Sequence, residues 1–468
     1  MPAQTSKAVN WIPAAFGLVA LAAVAAWLAS GPRKPLVLRV PGTDQPAGSD
    51  AMSYTNAVLA GKLTVATGKP AAFSGAWPQF RGSDHDGISK TEKHLARTWD
   101  NSGPRALWET EVGDGYAGAV VLNGKVYLMD YDRDRKQDAL RCLSAEDGAE
   151  IWRYAYPVSV KRNHGMSRTV PAVTEQFVVA MGPKCHVVSL DSTTGSLRWG
   201  LDLVKQYGAT VPPWYAGQCP LVDNGTIILA VGGPNALLMA LRPDTGATLW
   251  QTPNPHGWKM THSSIMPMEL DGERMYLYCA NNGVVGVSAK DGTILWENTA
   301  WKISIATVPS PLVLPGGRVL LSGGYNAGSL MLQVSKEQGR WQARTLFKLE
   351  PEVFGATQHT PIFFENHIYG VRPDGRFVCL DLEGKSLWVS PGSDQFGLGP
   401  FLVADGLIFA MNDAGLLRLI EATPQKYHSL SEAHVLKGRE SWGPMALSDG
   451  RLYARDLTRL VCLDVAGR

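Results

Sequence analysis

From about residue 106 onward, short runs of alternating apolar and polar positions recur with a fixed sequel. Leu140-Arg141-Cys142-Leu143 is followed by a polar turn holding Gly148 and, after three further residues, by Trp152. The same order runs through Val188 to Leu190, Gly195 and Trp199, then through Met239, Gly246 and Trp250. It returns at Val285, Gly292 and Trp296 and at Val378, Gly384 and Trp388. Apolar runs of period two read as half-buried strands, and glycine-bearing polar turns between them as hairpins. Two copies are degraded: after residues 330–334 the turn keeps Gly339 but Leu346 and Phe347 stand where Trp is expected, and after 416–419 no Trp follows. The last copy, Leu460-Val461-Cys462-Leu463, has no final strand after it, whereas Ala106-Leu107-Trp108-Glu109 is a final strand without a copy.

Each copy is preceded by a second hairpin, as at Pro171 to Ala180, Pro311 to Leu321, Pro361 to Tyr369 and Pro444 to Tyr453, the first lying at Ala119 to Leu128. Eight such units share residues 77–468, about 49 residues each, the size of a four-stranded propeller blade. The pattern therefore predicts an all-β, eight-bladed β-propeller. Its ring would be closed by the Trp108 strand pairing into the last blade, which removes two open sheet edges.

The N-terminal pattern is different. Residues 8–32 carry no charge, and 11–30 are nearly all Ala, Leu, Val, Ile and Phe. About 20 residues at 1.5 Å each match a hydrocarbon layer of about 30 Å, with Trp11 and Trp27 near its ends, so a transmembrane helix is expected. A cleaved signal peptide is the alternative, but its apolar core is shorter, about 7 to 15 residues. Residues 31–76, with Pro32, Pro35, Pro41, Pro46 and Pro70 among Gly, Ser, Ala and Thr, read as a linker. The expected organisation is an anchor over 1–30, a linker over 31–76 and the propeller over 77–468.

Composition narrows the functions. Lys and Arg number 44 against 42 Asp and Glu, a net charge of +2, so the chain lacks the basic field that nucleic acid demands. The six cysteines form no C-x-x-C pair, and Cys142, Cys379 and Cys462 hold one equivalent position inside strands, which marks them as small core residues. Asp130, Asp132 and Asp134 have the spacing that opens a calcium loop, yet Arg135 replaces the turn glycine and no Glu follows at the twelfth position. His256 and His262 lack a third ligand, and there is no G-x-S-x-G elbow. Neither metal nor catalytic residues are expected.

The glycine-and-Trp repeat resembles the pyrroloquinoline quinone (PQQ)-type propeller repeat, found in quinoprotein dehydrogenases and in non-catalytic propellers similar to the lipoprotein of the outer-membrane β-barrel assembly machine. Trp77-Pro78-Gln79-Phe80-Arg81-Gly82, followed by Asp86-Gly87-Ile88-Ser89, looks like the leading segment of membrane-anchored bacterial members of the second group. The dehydrogenases hold PQQ with calcium and an Asp base, commonly beneath two adjacent cysteines. Here the closest cysteines are Cys185 and Cys219, and no C-x-x-C-H haem tether is present. The resemblance thus implies an extracytoplasmic, periplasmic scaffold, held at the membrane by its N-terminal helix, without a resident cofactor, that binds a protein partner of the cell envelope. A PQQ- and calcium-dependent oxidoreductase is the alternative.

In a propeller, the loops leading into the innermost strands and the turns between second and third strands share one face. The former carry Tyr116, His164, Arg168, Trp214, Tyr215, His262, His359 and Trp442, and the latter Asn282, Tyr325 and Asn412. Exposed aromatics with Arg and His are what binding hot spots use, so this loop-rich face is the expected binding surface. The plain alternative is that these side chains plug the axial channel and satisfy loop backbones.

Overall fold

The structure, a computed structural model, describes residues 11–29, 56–92, 94–100, 102–161, 166–438 and 440–467. Eight antiparallel sheets form the ring, each with four blade strands. Blade 1 runs from Val120–Leu122 at the axis through Lys125–Asp132 and Gln137–Ser144 to Glu150–Pro157 outside. Blades 2 to 7 repeat this order, their innermost strands being Ala172–Val173, Leu221–Asp223, Met266–Leu270, Leu312–Leu314, Ile362–Phe364 and Phe401–Ala404. Blade 8 takes three strands from the end of the chain, starting at Ala446–Ser448, and its outermost strand, Ala106–Glu111, from the beginning. That strand pairs antiparallel with Arg459–Asp464, placing Trp108 opposite Cys462, so ring closure follows the expectation from sequence.

The core lies between blades rather than within them. Tyr127, Leu140 and Trp152 of blade 1, for example, pack with Val178, Val188 and Leu190 of blade 2. In six blades a Trp on the outermost strand pairs with the third strand immediately before a β-bulge, as Trp152 does with Cys142 and Trp388 with Cys379. Phe347 and Ser431 take this position in the two degraded copies, beside the same bulge. The indole N–H then reaches the next blade: Trp108 donates to the Ala145 carbonyl, Trp199 to Pro243, Trp250 to Ala289 and Trp388 to Thr423, at 2.8–3.2 Å. Trp152 and Trp296 are the exceptions: the carbonyl corresponding to Trp152, that of Ser192, already accepts from the Tyr127 hydroxyl at 2.9 Å, and the Trp296 N–H points to the Met275 sulfur of its own blade at 3.4 Å. All six cysteines are buried free thiols.

Two N-terminal expectations change. The helix α1 covers Trp11–Ala29, 19 residues, but no helix among the described residues is long and apolar enough to cross a membrane. At 1.5 Å per residue it measures about 28 Å, just short of the hydrocarbon thickness. The transmembrane span is therefore not supported. Of the segment read as a linker, residues 31–55 lie outside the described residues, and the remainder is attached to the propeller. Lys62–Val65 adds a fifth strand to the outer edge of blade 1, Val65 lying opposite Trp152. Just before it, Val58 is fully buried and accepts from the Tyr154 hydroxyl, while the Asn56 amide donates to Gly200 of blade 2. Pro and Gly do not prevent attachment where one side chain, that of Val58, finds a hydrophobic seam and the backbone of Lys62–Val65 finds an unpaired strand edge.

Candidate functional site

Residues 76–89 cross the central channel and close it on one side. Ala76–Trp77 pairs with the innermost strand of blade 1 and Ile88–Ser89 runs parallel to that of blade 7. Between them, the Pro78 carbonyl accepts from Val173 of blade 2, and the Gln79 side chain from Val222 of blade 3. Arg81 secures the turn: its guanidinium donates to the carbonyls of His85 and Asp86 within the segment and of Thr360 and Pro361 in blade 6, at 2.8–3.0 Å. Burial lowers its pKa to about 10. The segment is a plug, and the sequence reasoning, which saw its motif only as a family resemblance, missed that role.

Above the plug, on the loop-rich face, opens an axial cavity of about 420 Å³. Trp77, Phe80, Arg81 and Gly87 form its floor, and every blade contributes wall residues from the loop leading into its innermost strand. Of the residues singled out from sequence, Tyr116, Arg168, Trp214, His262, Tyr325, His359 and Trp442 meet around this cavity. The ring of Tyr116 stands 5.2 Å from that of Trp442 and 5.6 Å from the Arg168 guanidinium. Its hydroxyl donates to Glu440 at 2.6 Å, and the Trp442 indole to Asp413 at 2.6 Å, so the rim carboxylates orient the aromatic rings. Trp214 faces His262 across 6.4 Å.

Trp214 and Tyr215 sit at φ +62° and +73°, in the left-handed region that bulky residues avoid. Two successive aromatic residues there store strain, which persists only where the surroundings enforce it. Tyr215 supplies the enforcement: it is fully buried with Tyr131 and Met166, and its hydroxyl donates to the Lys161 carbonyl at 2.7 Å. Tyr215 is thus not a surface contact but the anchor that holds Trp214 at the mouth. Asn282 lies exposed in a blade 4 turn away from the cavity, and Asn412 is consumed in its own turn, accepting from Ala414 and Leu416. His164 lies outside the described residues.

The histidines are kept neutral. Burial lowers His262 to about 3, helped by the nearby Arg168 cation, and lowers His359 to about 4. Phe80, Ile305, Phe401 and Met445 also line the cavity without having been foreseen. A lone apolar residue in a loop gives no local sign that it faces an axis.

The site does not suit PQQ with calcium. Its described lining contains no Asp or Glu, and no group of three His, Cys, Asp or Glu side chains that could hold a metal occurs among the described residues. The two carboxylates of the rim, Glu440 and Asp413, are engaged by the Tyr116 hydroxyl and the Trp442 indole. Asp130 is instead ion-paired with Arg141 at 2.8 Å, and Asp132 accepts from the backbone of its own turn.

The eight four-stranded blades, the Trp register and the ring closure define a PQQ-type β-propeller. A family model described as outer membrane protein assembly factor BamB matches residues 87–211 and 211–429, and the chain belongs to that family. It is 20% identical over 377 residues to the outer membrane protein assembly factor BamB of Yersinia pestis, covering 77% of this chain and 85% of the relative. The protein of the same name from Moranella endobia (strain PCIT) is 22% identical over 337 residues, 68% of this chain and 70% of the relative. Among solved structures, BamB from Moraxella catarrhalis superposes with a TM-score of 0.54 at 16% identity, covering 77% of this chain and 99% of that one, a likeness of fold.

Proposed function

We propose that the protein is a scaffold on the extracytoplasmic side of the envelope that binds a protein partner in outer membrane assembly through the loop-rich face of its propeller. The observation that carries this reading is Trp214, held at the axial mouth in a strained conformation with Trp442, Tyr325 and Ile305 around it. Tyr325 is 38% and Ile305 50% exposed, and aromatic anchors beside apolar rim residues are what protein interfaces are built on. Family membership supports the assembly role, by analogy with relatives named for it. The opposite face carries short, repeated polar turns such as Asp147-Gly148 and Asp291-Gly292.

In this proposal α1 holds the propeller at a membrane. Trp11, Phe16, Leu18, Val19, Leu21 and Val24 are all exposed on it, an apolar surface that water does not favour. No cofactor and no nucleic acid enter the proposal.

A photo-crosslinking residue placed at Trp214, Tyr325 or Trp442 should capture a discrete envelope protein in cells, and one at Thr245 or Asp291 on the other face should not. Equal capture from both faces, or none from the mouth, would refute the assignment. Membrane fractionation tests the tether: the full chain should sediment with the membranes, and a chain lacking residues 1–30 should not.

A further inference from the structure

On the loop-rich side, the outer rim of blades 1 and 2 gathers five lysines from separate elements. Lys62, on the added strand, lies opposite Ala155, near the end of the blade 1 outer strand at Pro157, which pairs with Gln137 beside Lys136. The Lys136 carbonyl accepts from Val158, and the chain runs on to Lys161, whose carbonyl accepts from the Tyr215 hydroxyl. Next to Tyr215, Ala216 donates to the Pro183 carbonyl, and the Cys185 carbonyl accepts from Leu203, which sets Lys184 beside the short helix Leu203–Tyr207 and its Lys205. Lys62, Lys136, Lys161 and Lys205 are exposed, and Lys184 is half-buried.

The carboxylates of this corner do not offset them. Arg133 pairs with Asp114 at 3.3 Å and Arg135 with Asp132 at 3.5 Å, so these four cancel. Asp138, fully buried, accepts from Tyr156 and Ser167, and Asp202, also buried, caps the short helix by accepting from the Lys205 backbone N–H. Asp134 and, at the border with blade 8, Glu111 are the exposed carboxylates left among the described residues, so the corner stays cationic. The same corner receives the chain from its N-terminal side. The Asn56 amide donates to Gly200 and Val58 is buried, while Leu59 and Leu63 beside them are 59% and 37% exposed. Residues 30–55 separate this point from the end of α1 at Ala29, a distance of at most roughly 95 Å at about 3.6 Å per residue.

We infer that this corner docks on an anionic lipid surface, the lysines against headgroup phosphates and Leu59 and Leu63 at the acyl boundary. Each basic residue near an anionic leaflet strengthens adsorption about fivefold, and exposed apolar side chains beside the cations add insertion. An acidic protein would meet the same charge, but a bilayer is what the chain itself brings to this corner. Because the contact lies at the rim, the axial mouth stays open to a partner. The inference draws on the proposed tether, which keeps the corner near a membrane, yet the headgroup contact itself does not require the helix.

The test is lysine acetylation, read by mass spectrometry, on the purified full chain reconstituted with vesicles. On phosphatidylcholine holding about 30% phosphatidylglycerol, Lys136, Lys161 and Lys205 should react at least about tenfold more slowly than on pure phosphatidylcholine. Lys290 and Lys385, exposed on the opposite face, should react equally on both. Salt at about 0.5 M should remove the protection, since it screens exposed charge. Lys136→Glu combined with Lys161→Glu, both at exposed positions, should restore reactivity at Lys62 and Lys205 while leaving the urea midpoint of the fold in place. Sedimentation with pure phosphatidylcholine reports on the helix alone: its failure, with protection kept on the anionic vesicles, would sink the tether and uphold the inference. No protection on the anionic vesicles, whether or not the chain sediments with neutral ones, would overturn it. So would equal protection on both lipids, protection of Lys290 as strong as that of Lys161, or protection that survives the double substitution.

Discussion

The indole of Trp199 lies on Gly246 of the following blade: a Cβ at Gly246 would stand 2.7 Å from its ring, while its N–H donates to Pro243 at 2.8 Å in the same turn. Gly148 meets Trp108, Gly195 meets Trp152 and Gly292 meets Trp250 in the same way, at 2.5–2.7 Å. The glycine and the Trp of the repeat are therefore partners across the blade boundary, although in sequence each Trp follows the glycine of its own blade. Where Leu349 and Phe347 replace the indole, they crowd Gly384 instead.

Gly246→Ala should accordingly suffer twice, from φ +70° and from the indole. Gly225→Ala is the control, since Gly225 has φ +72° but nothing within 4 Å of a Cβ. Backbone strain alone costs about 1–3 kcal/mol. Gly246→Ala should lower the urea midpoint clearly further than Gly225→Ala, and equal shifts would mean that the indole moves aside freely.

Replacing Trp by Phe separates packing from hydrogen bonding. Trp199→Phe loses a made bond, worth about 0.5–1.5 kcal/mol net, and strands the Pro243 carbonyl. Trp152→Phe loses none, because its N–H has no partner among the described residues. The second substitution should be the milder of the two in chemical denaturation.

Arg81→Met should unseat the plug by releasing four carbonyls at once, and Arg81→Lys should rescue little, since an ammonium cannot reproduce the guanidinium fork. Limited proteolysis is the readout: new cleavage within residues 76–89 is expected in both variants and not in the wild type.

Acid should destabilise the fold through His262 and His359. Unfolded, each binds a proton near pH 6.5, whereas folded they do so only near 3 and 4. Between those values the unfolded state holds more protons, so stability falls as the pH drops from 7 toward 4, by up to about 1.4 kcal/mol per pH unit for each imidazole. Asp138 acts in the opposite sense. Fully buried and accepting from Tyr156 and Ser167, it is raised to about 7, so its contribution is complete below pH 3.8 and is lost as pH rises through 7. His359→Gln should flatten the stability profile between pH 4.5 and 6.5, and Asp138→Asn should steepen it. Unchanged slopes in denaturant titrations would refute both assignments.

Sequence by itself determined the blade. Period-two strands, the glycine at φ > 0 and the Trp four positions beyond it are local requirements, so they recur legibly, and eight copies with one displaced strand imply a closed ring. The seven mouth residues were legible too, because the repeat fixes which loops share a face. Only the tertiary structure decided what fills the axis. The plug at residues 76–89, the burial of Tyr215 beneath Trp214 and the pooling of Arg81 with Arg168 bring together groups far apart in the chain. Their meeting depends on ring closure, and no local periodicity records a contact made across the centre of a ring.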